Sequence, residues 1–447
     1  MKDSFEPVTV LLVDVPDVDE WQSFSWHDIS EFPKKGYRRA RVYLRYRETP
    51  FAKLTIDLDD DGFPREPIPE SLADARLALA NEEPLAEGSS ITPLVTIVVA
   101  TSGTRPDLLE RCMTSLASLR YPSFEIVLVD NRPEGEIGDS TEAWTDTSHP
   151  GFETRTITVV REKRRGLSFA RNAGVLAAAG QIIAFTDDDV EVDANWINGI
   201  VDAFNESPEV QCVTGLIIPA ELETEAQELF ENFYGGFDRG LIRRSWVIPG
   251  RRKGSRGFLN RSMFLVNEDG SGEQLNAKSL YVIAGTCGVG ANMAVRREFA
   301  LRYPFDVGLG AGSLVNSGED IRFYADVLWA GRRVAYVPSA IVRHTHRRNM
   351  DDLKSQIKRM GMGQTAMLVS LITQDVRHVA GITMTGAPSA LLRWVRSAFT
   401  GRSAAEGQDQ EHSYPPSLRR TELVGMALGP WRYFLSRKQV RSRAERA

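Results

Sequence analysis

Short runs of β-branched and apolar residues recur in the middle of the chain. Val95–Ala100, Glu125–Val129, Thr156–Val160 and Ile182–Phe185 each have the length and composition of a buried β-strand. The last run leads almost directly into three consecutive carboxylates at residues 187–189. Adjacent carboxylates repel one another and are costly to bury, so they persist most easily where a hard divalent cation neutralises them. We therefore predict a metal site here, with an acidic turn before the next helix as the alternative.

Segments with helical periodicity separate these strands. Asp107–Leu119 repeats apolar residues on one face, and Ser168–Ala179 begins with a candidate capping serine and is followed by Gly180 as its stop. Strands that alternate with helices predict an α/β fold, in which a parallel sheet carries helices on both faces. Ligands of such sheets bind beyond the carboxyl ends of the strands, so the residues that follow the strands should converge there.

The first 92 residues follow a different pattern, and we expect them to form a small β-containing module. Val8–Val13 has the composition of a buried strand, whereas Arg41–Arg47 alternates apolar and polar residues like a half-buried strand. Phe51–Leu58 follows a short turn and would pair with it as a hairpin. Residues 57–62 match the first half of a calcium-binding EF-hand loop, but the loop's last position lacks the required glutamate. An acidic turn is the preferred interpretation, with calcium binding as the alternative.

Composition places the chain among ordinary globular proteins, because 42% of its 447 residues are hydrophobic and 26% are charged. The formal net charge of −6 gives no reason to expect a nucleic-acid partner. Cys112, Cys212 and Cys287 have neither metal-site nor disulfide spacing, which favours a reducing compartment. We see no leader-like segment and no apolar run of the ~18 residues that a spanning helix needs, so we expect a cytoplasmic protein.

Charge is unevenly distributed along the chain. Residues 1–93 carry 11 basic and 19 acidic side chains, whereas residues 376–447 carry 12 basic and 5 acidic ones. Candidate helices at Ser389–Phe399 and Leu418–Leu435 combine apolar residues with arginine, and a basic tail follows them. Basic amphipathic helices suit an anionic membrane surface. Two interpretations stay open: peripheral contact with the inner face of the membrane, and docking on the rest of the chain.

A series of motifs spans a little more than half of the chain: Val95–Arg105, Val129–Asn131, Gly166–Gly174, Phe185–Asp189, Gly288–Met293, Gly318–Asp320 and His344–His346. Together they resemble the motifs of family 2 glycosyltransferases of the non-processive, actinobacterial-like type. The resemblance implies the GT-A fold, which has a Rossmann-like, mixed but mostly parallel sheet. We expect this GT-A domain at residues 93–350, after the module at residues 1–92 and before a helical C-terminal extension at residues 351–447.

The resemblance also implies a nucleotide-diphospho-sugar donor (a UDP-, GDP- or dTDP-sugar), a hydroxyl acceptor and a role in cell-envelope glycan synthesis. It implies Mn²⁺ or Mg²⁺ held by Asp187, Asp189 and His344, since such an ion would stabilise the charge that builds on the leaving diphosphate. His344 and His346 alternate along an extended segment, which would put both imidazoles on one side. The donor-binding residues that the resemblance implies are Thr101, Ser102, Asp130, Arg171, Asp187 and Asp188.

Asp320 is the predicted catalytic base, because an inverting, in-line displacement needs a carboxylate near the acceptor hydroxyl to take its proton. It stands beside Glu319 just before a predicted helix, Ile321–Ala330, and a helix N-terminus favours negative charge. We expect Glu319 to bind or orient the acceptor. The alternative for Asp320 is that it only complements the helix dipole.

Two features separate this chain from its processive relatives. Processive synthases of the superfamily carry Gln-x-x-Arg-Trp after the base, whereas this chain has Met360 in place of the tryptophan, which favours transfer of a single sugar. Residues 239–264 are rich in arginine and aromatic residues, Trp246 among them, and suit a phosphorylated or lipid-phosphate acceptor or a solvated loop. Two other functions stay open: a sugar nucleotidyltransferase, and a catalytically silent nucleotide-sugar-binding or assembly subunit.

Overall fold

The structure, a computed structural model, describes residues 5–16, 24–69, 71–73, 76–77, 92–132, 144, 151–152, 155–233, 235–248, 262–267, 278–383 and 415–444. Within these residues the strands form a three-stranded and an eleven-stranded sheet. The strands are β1 (Val8–Asp14), β2 (Arg39–Tyr46), β3 (Thr49–Asp57), β4 (Val95–Thr101), β5 (Phe124–Asp130), β6 (Ile157–Arg161), β7 (Ile182–Asp187), β8 (Val190–Val192), β9 (Val210–Pro219), β10 (Arg244–Val247), β11 (Ser262–Asn267), β12 (Lys278–Ser279), β13 (Asn292–Arg296) and β14 (Arg333–His344). The helices are α1 (Pro106–Ala117), α2 (Leu167–Ala177), α3 (Trp196–Glu206), α4 (Glu225–Phe233), α5 (Leu280–Ile283), α6 (Arg297–Arg302), α7 (Glu319–Trp329), α8 (Met350–Gln374), α9 (Arg377–Gly381) and α10 (Pro416–Ala444).

The large sheet is mixed, with strand order β12-β11-β10-β14-β9-β13-β7-β4-β5-β6 and β8 beside β14. Strands β7, β4, β5 and β6 are mutually parallel, and β9 and β14 form a second parallel pair that runs in the same direction. Strand β13 lies between the two groups and is antiparallel to both β7 and β9. The α/β class and the mixed, mostly parallel sheet predicted from the sequence are confirmed.

Side chains alternate between the two faces of the large sheet, and each face is covered by helices. Val95, Ile97 and Val99 of β4 belong to a core that includes residues of α1 and α3. Val98 belongs to the core on the opposite face, together with residues of α2 and α7. Both faces of the central strands are therefore buried, which explains their continuous apolar sequences.

The predicted serine cap of the second helix is wrong. Helix α2 begins after Gly166, whose φ of +139° is a conformation that side chains rarely adopt. Ser168 lies inside the helix, and its hydroxyl donates to the carbonyl of Leu309 at 2.9 Å. Gly180 comes after the end of the helix, where a Cβ would lie 2.7 Å from the carbonyl oxygen of Leu94. Gly166 therefore allows the backbone conformation that starts the helix, and Gly180 allows two backbone segments to come close together.

The predicted N-terminal hairpin is confirmed, because β2 and β3 pair antiparallel and β1 joins β2 in parallel. The prediction that β2 is half-buried is wrong. Val42 and Leu44 face the small core of the module, whereas Tyr43 on the other face packs in a cluster with Leu216 and Ile341 of the large sheet. The polar face of β2 is thus covered by a distant part of the chain.

The acidic segment after β3 forms a turn. Asp59 Oδ1 accepts hydrogen bonds from the backbone N–H groups of Asp61 at 3.0 Å and Phe63 at 2.9 Å. Leu58 and Pro64 form an isolated bridge across the same turn. The carboxylate of Asp59 therefore has a structural partner in the backbone, which agrees with the turn interpretation.

The C-terminal helix docks on the rest of the chain. Helix α10 packs along α8, where a Cβ on Gly425 would lie 2.1 Å from the carbonyl oxygen of Lys358. Asp306 accepts hydrogen bonds from Tyr433 at 2.7 Å and Arg437 at 3.2 Å, both on α10. In the part of the chain that the structure describes, no helix is both long and apolar enough to cross a membrane. The predicted helix at Ser389–Phe399 lies outside the described residues.

Candidate active site

The carboxyl ends of three neighbouring strands meet at one edge of the large sheet. Thr101 at the end of β4 is the register partner of Asp130 at the end of β5. Ala100 is likewise the partner of Asp187 at the end of β7. The convergence expected of a parallel sheet is therefore present, and it forms the centre of the candidate site.

Within the acidic triplet, Asp187 is the most accessible member. Its side chain is 27% exposed, whereas those of Asp188 and Asp189 are 3% and 6% exposed. Thr101 donates its hydroxyl hydrogen to Asp188 at 2.7 Å. The Arg105 guanidinium donates to both Asp188 and Asp189 and so bridges the two buried carboxylates.

Arg105 was not among the predicted site residues, although the sequence offered a signal. It follows β4 at the edge where the three acidic residues gather, and a cation there is electrostatically expected. Its loop begins at Gly103, whose N–H donates to Thr101 Oγ1 at 3.0 Å. The structure thus places a positive charge where a metal ion is predicted.

The three carboxyl groups differ in their electrostatic environment. Burial raises the pKa of Asp187, and burial also raises the pKa of Asp188 to about 6 despite the nearby Arg105. Burial also disfavours the charged form of Asp189, but His344 and Arg105 outweigh this effect and lower its pKa. Asp189 is therefore the member of the triplet most strongly held as a carboxylate.

His344 provides a nitrogen next to that carboxylate. Its Nε2 lies 3.5 Å from Asp189 Oδ1, and burial lowers the pKa of His344 to about 4. Its Nδ1 lies 3.1 Å from Nδ1 of His346, so both imidazoles are on one side as predicted. A neutral imidazole beside a carboxylate is a suitable pair of ligands for a divalent metal.

The predicted metal ligands fit Mn²⁺ or Mg²⁺ by their chemistry, but they are not assembled around one point. Among the residues described, no three acidic, histidine or cysteine side chains are grouped closely enough to hold an ion. Arg105 is bound to Asp189 instead, and Asp187 is bound to Arg171. Metal binding at Asp187, Asp189 and His344 would therefore require Arg105 to release its carboxylates.

Arg171 connects the acidic triplet to the predicted catalytic pair. Its side chain is only 2% exposed, and its Nη2 donates to Asp187 at 3.1 Å and to the carbonyl of Gly290 at 3.0 Å. Its Nη1 donates to Glu319 at 3.0 Å. One buried guanidinium thus spans the ends of β7 and α7.

Glu319 and Asp320 form the first turn of α7, after Gly318 with a φ of +89°. Asp320 Oδ2 accepts a hydrogen bond from the N–H of Gly290 at 2.9 Å, and its Oδ1 accepts one from the N–H of Ile321 at 2.7 Å. Burial and the adjacent Asp320 raise the pKa of Glu319 to about 7 against the effect of Arg171. The two neighbouring carboxyls therefore have different environments, a common arrangement for acid–base chemistry.

Two other predicted donor-binding residues, Asp130 and Ser102, differ in burial and in their partners. Asp130 is buried and accepts hydrogen bonds from Arg132 at 2.6 Å and from Arg161, which lower its pKa against the effect of burial. Ser102 is exposed, and its hydroxyl lies 2.9 Å from that of Thr104. Asp130 thus lies at the strand edge with its partners already in place, whereas the hydroxyl of Ser102 contacts a residue of its own loop.

The arginine-rich insert is only partly described. Trp246 in β10 is 3% exposed and belongs to a core that covers one face of the large sheet, so it offers no stacking surface for a ligand. Arg243 pairs with Glu206 of α3. Seven other basic and aromatic residues of this segment lie outside the described residues or have side chains that are not described: Arg251, Arg252, Lys253, Arg256, Phe258, Arg261 and Phe264.

Residues 96–264 match the sequence profile of the family described as "Glycosyl transferase family 2". This segment is similar to a family 2 glycosyltransferase domain. The matched segment contains β4, the acidic triplet and Arg171. Glu319, Asp320 and His344 follow it in sequence, and the fold brings them back to the edge formed by that segment.

Known proteins resemble parts of this chain. It is 25% identical over 141 residues to the Glucosyl-dolichyl phosphate glucuronosyltransferase of Haloferax volcanii, covering 31% of this chain and 43% of that protein. It is 26% identical over 234 residues to the Pre-mycofactocin glycosyltransferase of Mycobacterium tuberculosis, covering 52% of this chain and 40% of that protein. The chain thus spans less than half the length of these curated relatives.

Among solved structures, the mannosyltransferase PcManGT of Pyrobaculum calidifontis, in complex with GDP-Man and Mn²⁺, is similar with a TM-score of 0.46. The identity is 16%, and the alignment covers 81% of this chain and 94% of that one.

Proposed function

We propose that the chain is a metal-dependent, inverting glycosyltransferase that transfers one sugar from a nucleotide-diphospho-sugar to a hydroxyl acceptor. The observation that carries this proposal is the bridge made by Arg171 between Asp187 and Glu319. Arg171 connects two groups of carboxylates. The first, at the end of β7, could bind a metal ion and, through it, a diphosphate. The second, Glu319 and Asp320, could take part in proton transfer. Both halves of the reaction thus have residues within one site.

Asp187, Asp189 and His344 would hold the metal, and Mn²⁺ or Mg²⁺ would offset the negative charge that develops on the leaving diphosphate. In the structure Arg105 donates to both Asp188 and Asp189 and offsets their charge. We propose that Arg105 leaves Asp189 when the ion binds. Its guanidinium would then be close to the diphosphate, which it can contact through two N–H groups.

Asp320 would take the proton of the acceptor hydroxyl. It lies in the first turn of α7, and the N–H groups of Gly290 and Ile321 fix the orientation of both oxygens. Glu319 would orient the acceptor, with its own position set by Arg171. The carboxylates of the triplet and Asp320 would then act on opposite sides of the sugar, as an in-line, inverting displacement requires.

The donor would lie along the edge formed by β4 and β5. We propose that Thr101, Ser102 and Asp130 surround the nucleoside of a UDP-, GDP- or dTDP-sugar. Asp188 would contribute indirectly, by holding the side chain of Thr101 in place. Asp188 is bound by Thr101 at 2.7 Å, so it shapes the first loop from a buried position. Arg171 would keep Asp187 in place next to the diphosphate.

We also propose that the acceptor is presented at an anionic membrane. The face of α10 that does not pack on α8 exposes Val424, Trp431 and Phe434 by 50%, 63% and 54%. Arginine and lysine side chains are exposed along the same helix at Arg420, Arg432, Lys438 and Arg441. The related Haloferax protein has a lipid-linked sugar in its name, glucosyl-dolichyl phosphate, which supports an acceptor hydroxyl carried by a lipid phosphate for this chain as well.

Thermal unfolding with nucleotides tests the donor site. Ligands that bind only the folded state raise its stability by about 2.7 kcal/mol at a concentration of 100 times Kd. UDP, GDP and dTDP would each be added with and without Mn²⁺ to the wild type, to Asp189→Ala and to the control Asp107→Ala, an exposed aspartate of α1. We expect one nucleotide to stabilise the wild type and Asp107→Ala only with Mn²⁺, and to leave Asp189→Ala unchanged.

A second assay tests the reaction itself. The sugar conjugate of the stabilising nucleotide should release nucleoside diphosphate, and a sugar phosphate with nucleoside triphosphate should release no pyrophosphate. Pyrophosphate release would support a nucleotidyltransferase instead. If no nucleotide changes the unfolding temperature, the proposed donor site is wrong.

A further inference from the structure

A line of buried polar side chains leads from the acidic triplet to the N-terminal sheet. His344 lies between Asp189, 3.5 Å from its Nε2, and His346, whose Nδ1 is 3.1 Å from Nδ1 of His344. His346 Nε2 lies 2.8 Å from Glu231 Oε1 in α4, and Arg41 Nη1 in β2 lies 3.4 Å from Glu231 Oε2. The side chains of His346 and Glu231 are each 1% exposed, so water does not compete for these contacts.

Neighbouring residues hold this line in place. Phe237 approaches the ring of His344 edge-on with the centroids 5.1 Å apart, and the ring of His346 at 5.6 Å. A Cβ on Gly236 would lie 2.2 Å from Glu231 Oε1, so the absence of a side chain there leaves room for the carboxylate. Neither imidazole can turn far without displacing a packed neighbour.

The hydrogen atoms in the line can be assigned from its far end. A carboxylate only accepts hydrogen bonds, so His346 donates its Nε2–H to Glu231. We assign the hydrogen between the two Nδ1 atoms to His344, because its Nε2 lies 3.5 Å from Asp189 Oδ1, too far for a strong hydrogen bond there. The lone pair of His344 is left on Nε2, which is the nitrogen that faces Asp189.

The surroundings of Glu231 support this assignment. Burial raises the pKa of Glu231, but His346, Lys53 and Arg41 outweigh this effect and lower it. Arg41 is itself held by a hydrogen bond from its Nη2 to Asn232 Oδ1 at 2.7 Å. Two basic residues of the N-terminal sheet therefore keep the carboxylate charged and in place.

We propose that Glu231 and Arg41 are positioning residues for the metal ligand His344, which they hold, through His346, in the tautomer whose Nε2 can bind a cation. This inference rests on the proposed function, because it assumes that Asp189 and His344 bind the metal. It gives strand β2 a role in the site, although β2 lies in the N-terminal module. Loss of an outer partner of a metal-bound histidine typically weakens metal binding by about 10- to 100-fold.

The first test measures Mn²⁺ binding to the full chain by electron paramagnetic resonance, with Mn²⁺ alone as the probe. Glu231→Met removes the acceptor but keeps the length of the side chain. Glu228→Met is the matched control, since Glu228 is on the same helix and pairs with Arg39 of β2 at 3.1 Å, yet has no place in the line. We expect the dissociation constant of Mn²⁺ to rise about 10- to 100-fold in Glu231→Met and less than about twofold in Glu228→Met.

Asp189→Ala, measured alongside, separates the two claims. If it abolishes Mn²⁺ binding while Glu231→Met binds like the wild type, the positioning role is wrong and the proposed metal site stands. If Asp189→Ala binds Mn²⁺ normally, the proposed metal site is wrong, and the positioning role with it. Circular dichroism of each variant shows whether it is folded.

A second measurement needs no substitution. Nitrogen-15 spectra of the metal-free wild type report which ring nitrogen of each histidine carries hydrogen, and the signal missing from His344→Gln identifies His344. Hydrogen on Nδ1 of His344 is the expected result. Hydrogen on its Nε2 would overturn the inference while leaving the donor-binding test of the proposed function unaffected.

Discussion

At the scale of single residues, Asp320 has the most specific predicted role. Its oxygens accept N–H groups from Gly290 and Ile321, so Asp320→Asn keeps the size of the side chain but cannot take a proton. We expect transfer to fall by about 10²- to 10⁴-fold, with the affinity for the nucleotide nearly unchanged. Single-turnover transfer and nucleotide titration measure the two effects separately.

Glu298→Gln is the control for this substitution, because Glu298 is an exposed acid in the first turn of α6, away from the site. It should retain wild-type transfer. Near-normal transfer by Asp320→Asn would show that another group takes the proton. A large loss of nucleotide affinity in Asp320→Asn would point to a structural role for the carboxylate instead.

Glu319 gives a prediction about pH. Its pKa is raised from an ordinary 4.5 to about 7 in the folded protein, by burial and the adjacent Asp320. Between these values the unfolded chain has released the proton that the folded chain still holds, so the free energy of unfolding falls as the pH rises. Glu319→Gln removes this dependence. We expect the stability of Glu319→Gln relative to wild type to rise by roughly 2 kcal/mol between pH 5 and pH 8.

Urea denaturation in chelator-treated buffer measures this difference, since the groups that titrate elsewhere in both proteins cancel. Glu298→Gln serves again as the exposed control and should show no such trend. A relative stability that is constant with pH would mean that Glu319 is charged in the folded protein throughout this range.

At the scale of elements, a strand could be predicted correctly from the sequence when the residues that bury it are near it in the chain. Strands β4, β5 and β7 are covered by helices that are near them in sequence, so their apolar runs identify them directly. The polar face of β2 is covered by α4 and the large sheet, and Arg41 meets Glu231 across 190 positions. No local pattern contains that information, which is why the sequence indicated a half-buried strand.

The site shows the same division. The edge where Thr101, Asp130 and Asp187 converge followed from strand direction, because every parallel strand presents its carboxyl end to the same side. The bridge made by Arg105 depends on how the loop after β4 folds back. Likewise, the capping role assigned to Ser168 ignored the carbonyl of Leu309, which is distant in sequence.

The contact between α8 and α10 depends on small residues. A Cβ on Gly425 would lie 2.1 Å from the carbonyl oxygen of Lys358, closer than atoms can approach. Gly425→Val should therefore push the helices apart and lower the free energy of unfolding by about 1–3 kcal/mol, as overpacking does. Ala427→Val is the matched control because Ala427 is exposed on the same helix. Equal effects of the two valines in urea denaturation would show that α10 does not pack as described.

At the scale of the whole molecule, the N-terminal sheet and the C-terminal helix differ in charge and in task. The sheet lies against the large sheet through Tyr43 and reaches the candidate site through Arg41, within the acidic end of the chain. Helix α10 belongs to the basic end and keeps an apolar face exposed. A surface of this kind can combine burial of aromatic side chains in a bilayer with attraction to anionic headgroups.

Sedimentation with lipid vesicles tests this arrangement. The wild type should bind vesicles that contain phosphatidylglycerol more strongly than vesicles of phosphatidylcholine alone, and added salt should weaken the binding. Trp431→Ser combined with Phe434→Ser should lower the partition coefficient by about 10- to 100-fold, because each aromatic side chain contributes on the order of 1 kcal/mol or more when buried. The control is Leu176→Ser combined with Ile242→Ser, which removes two side chains that are 74% and 61% exposed elsewhere.

Equal losses in both double variants would mean that exposed apolar area in general, and no specific face of α10, governs the binding. Retention of wild-type binding without Trp431 and Phe434 would remove α10 as the contact, and the acceptor would then have to reach the site from solution.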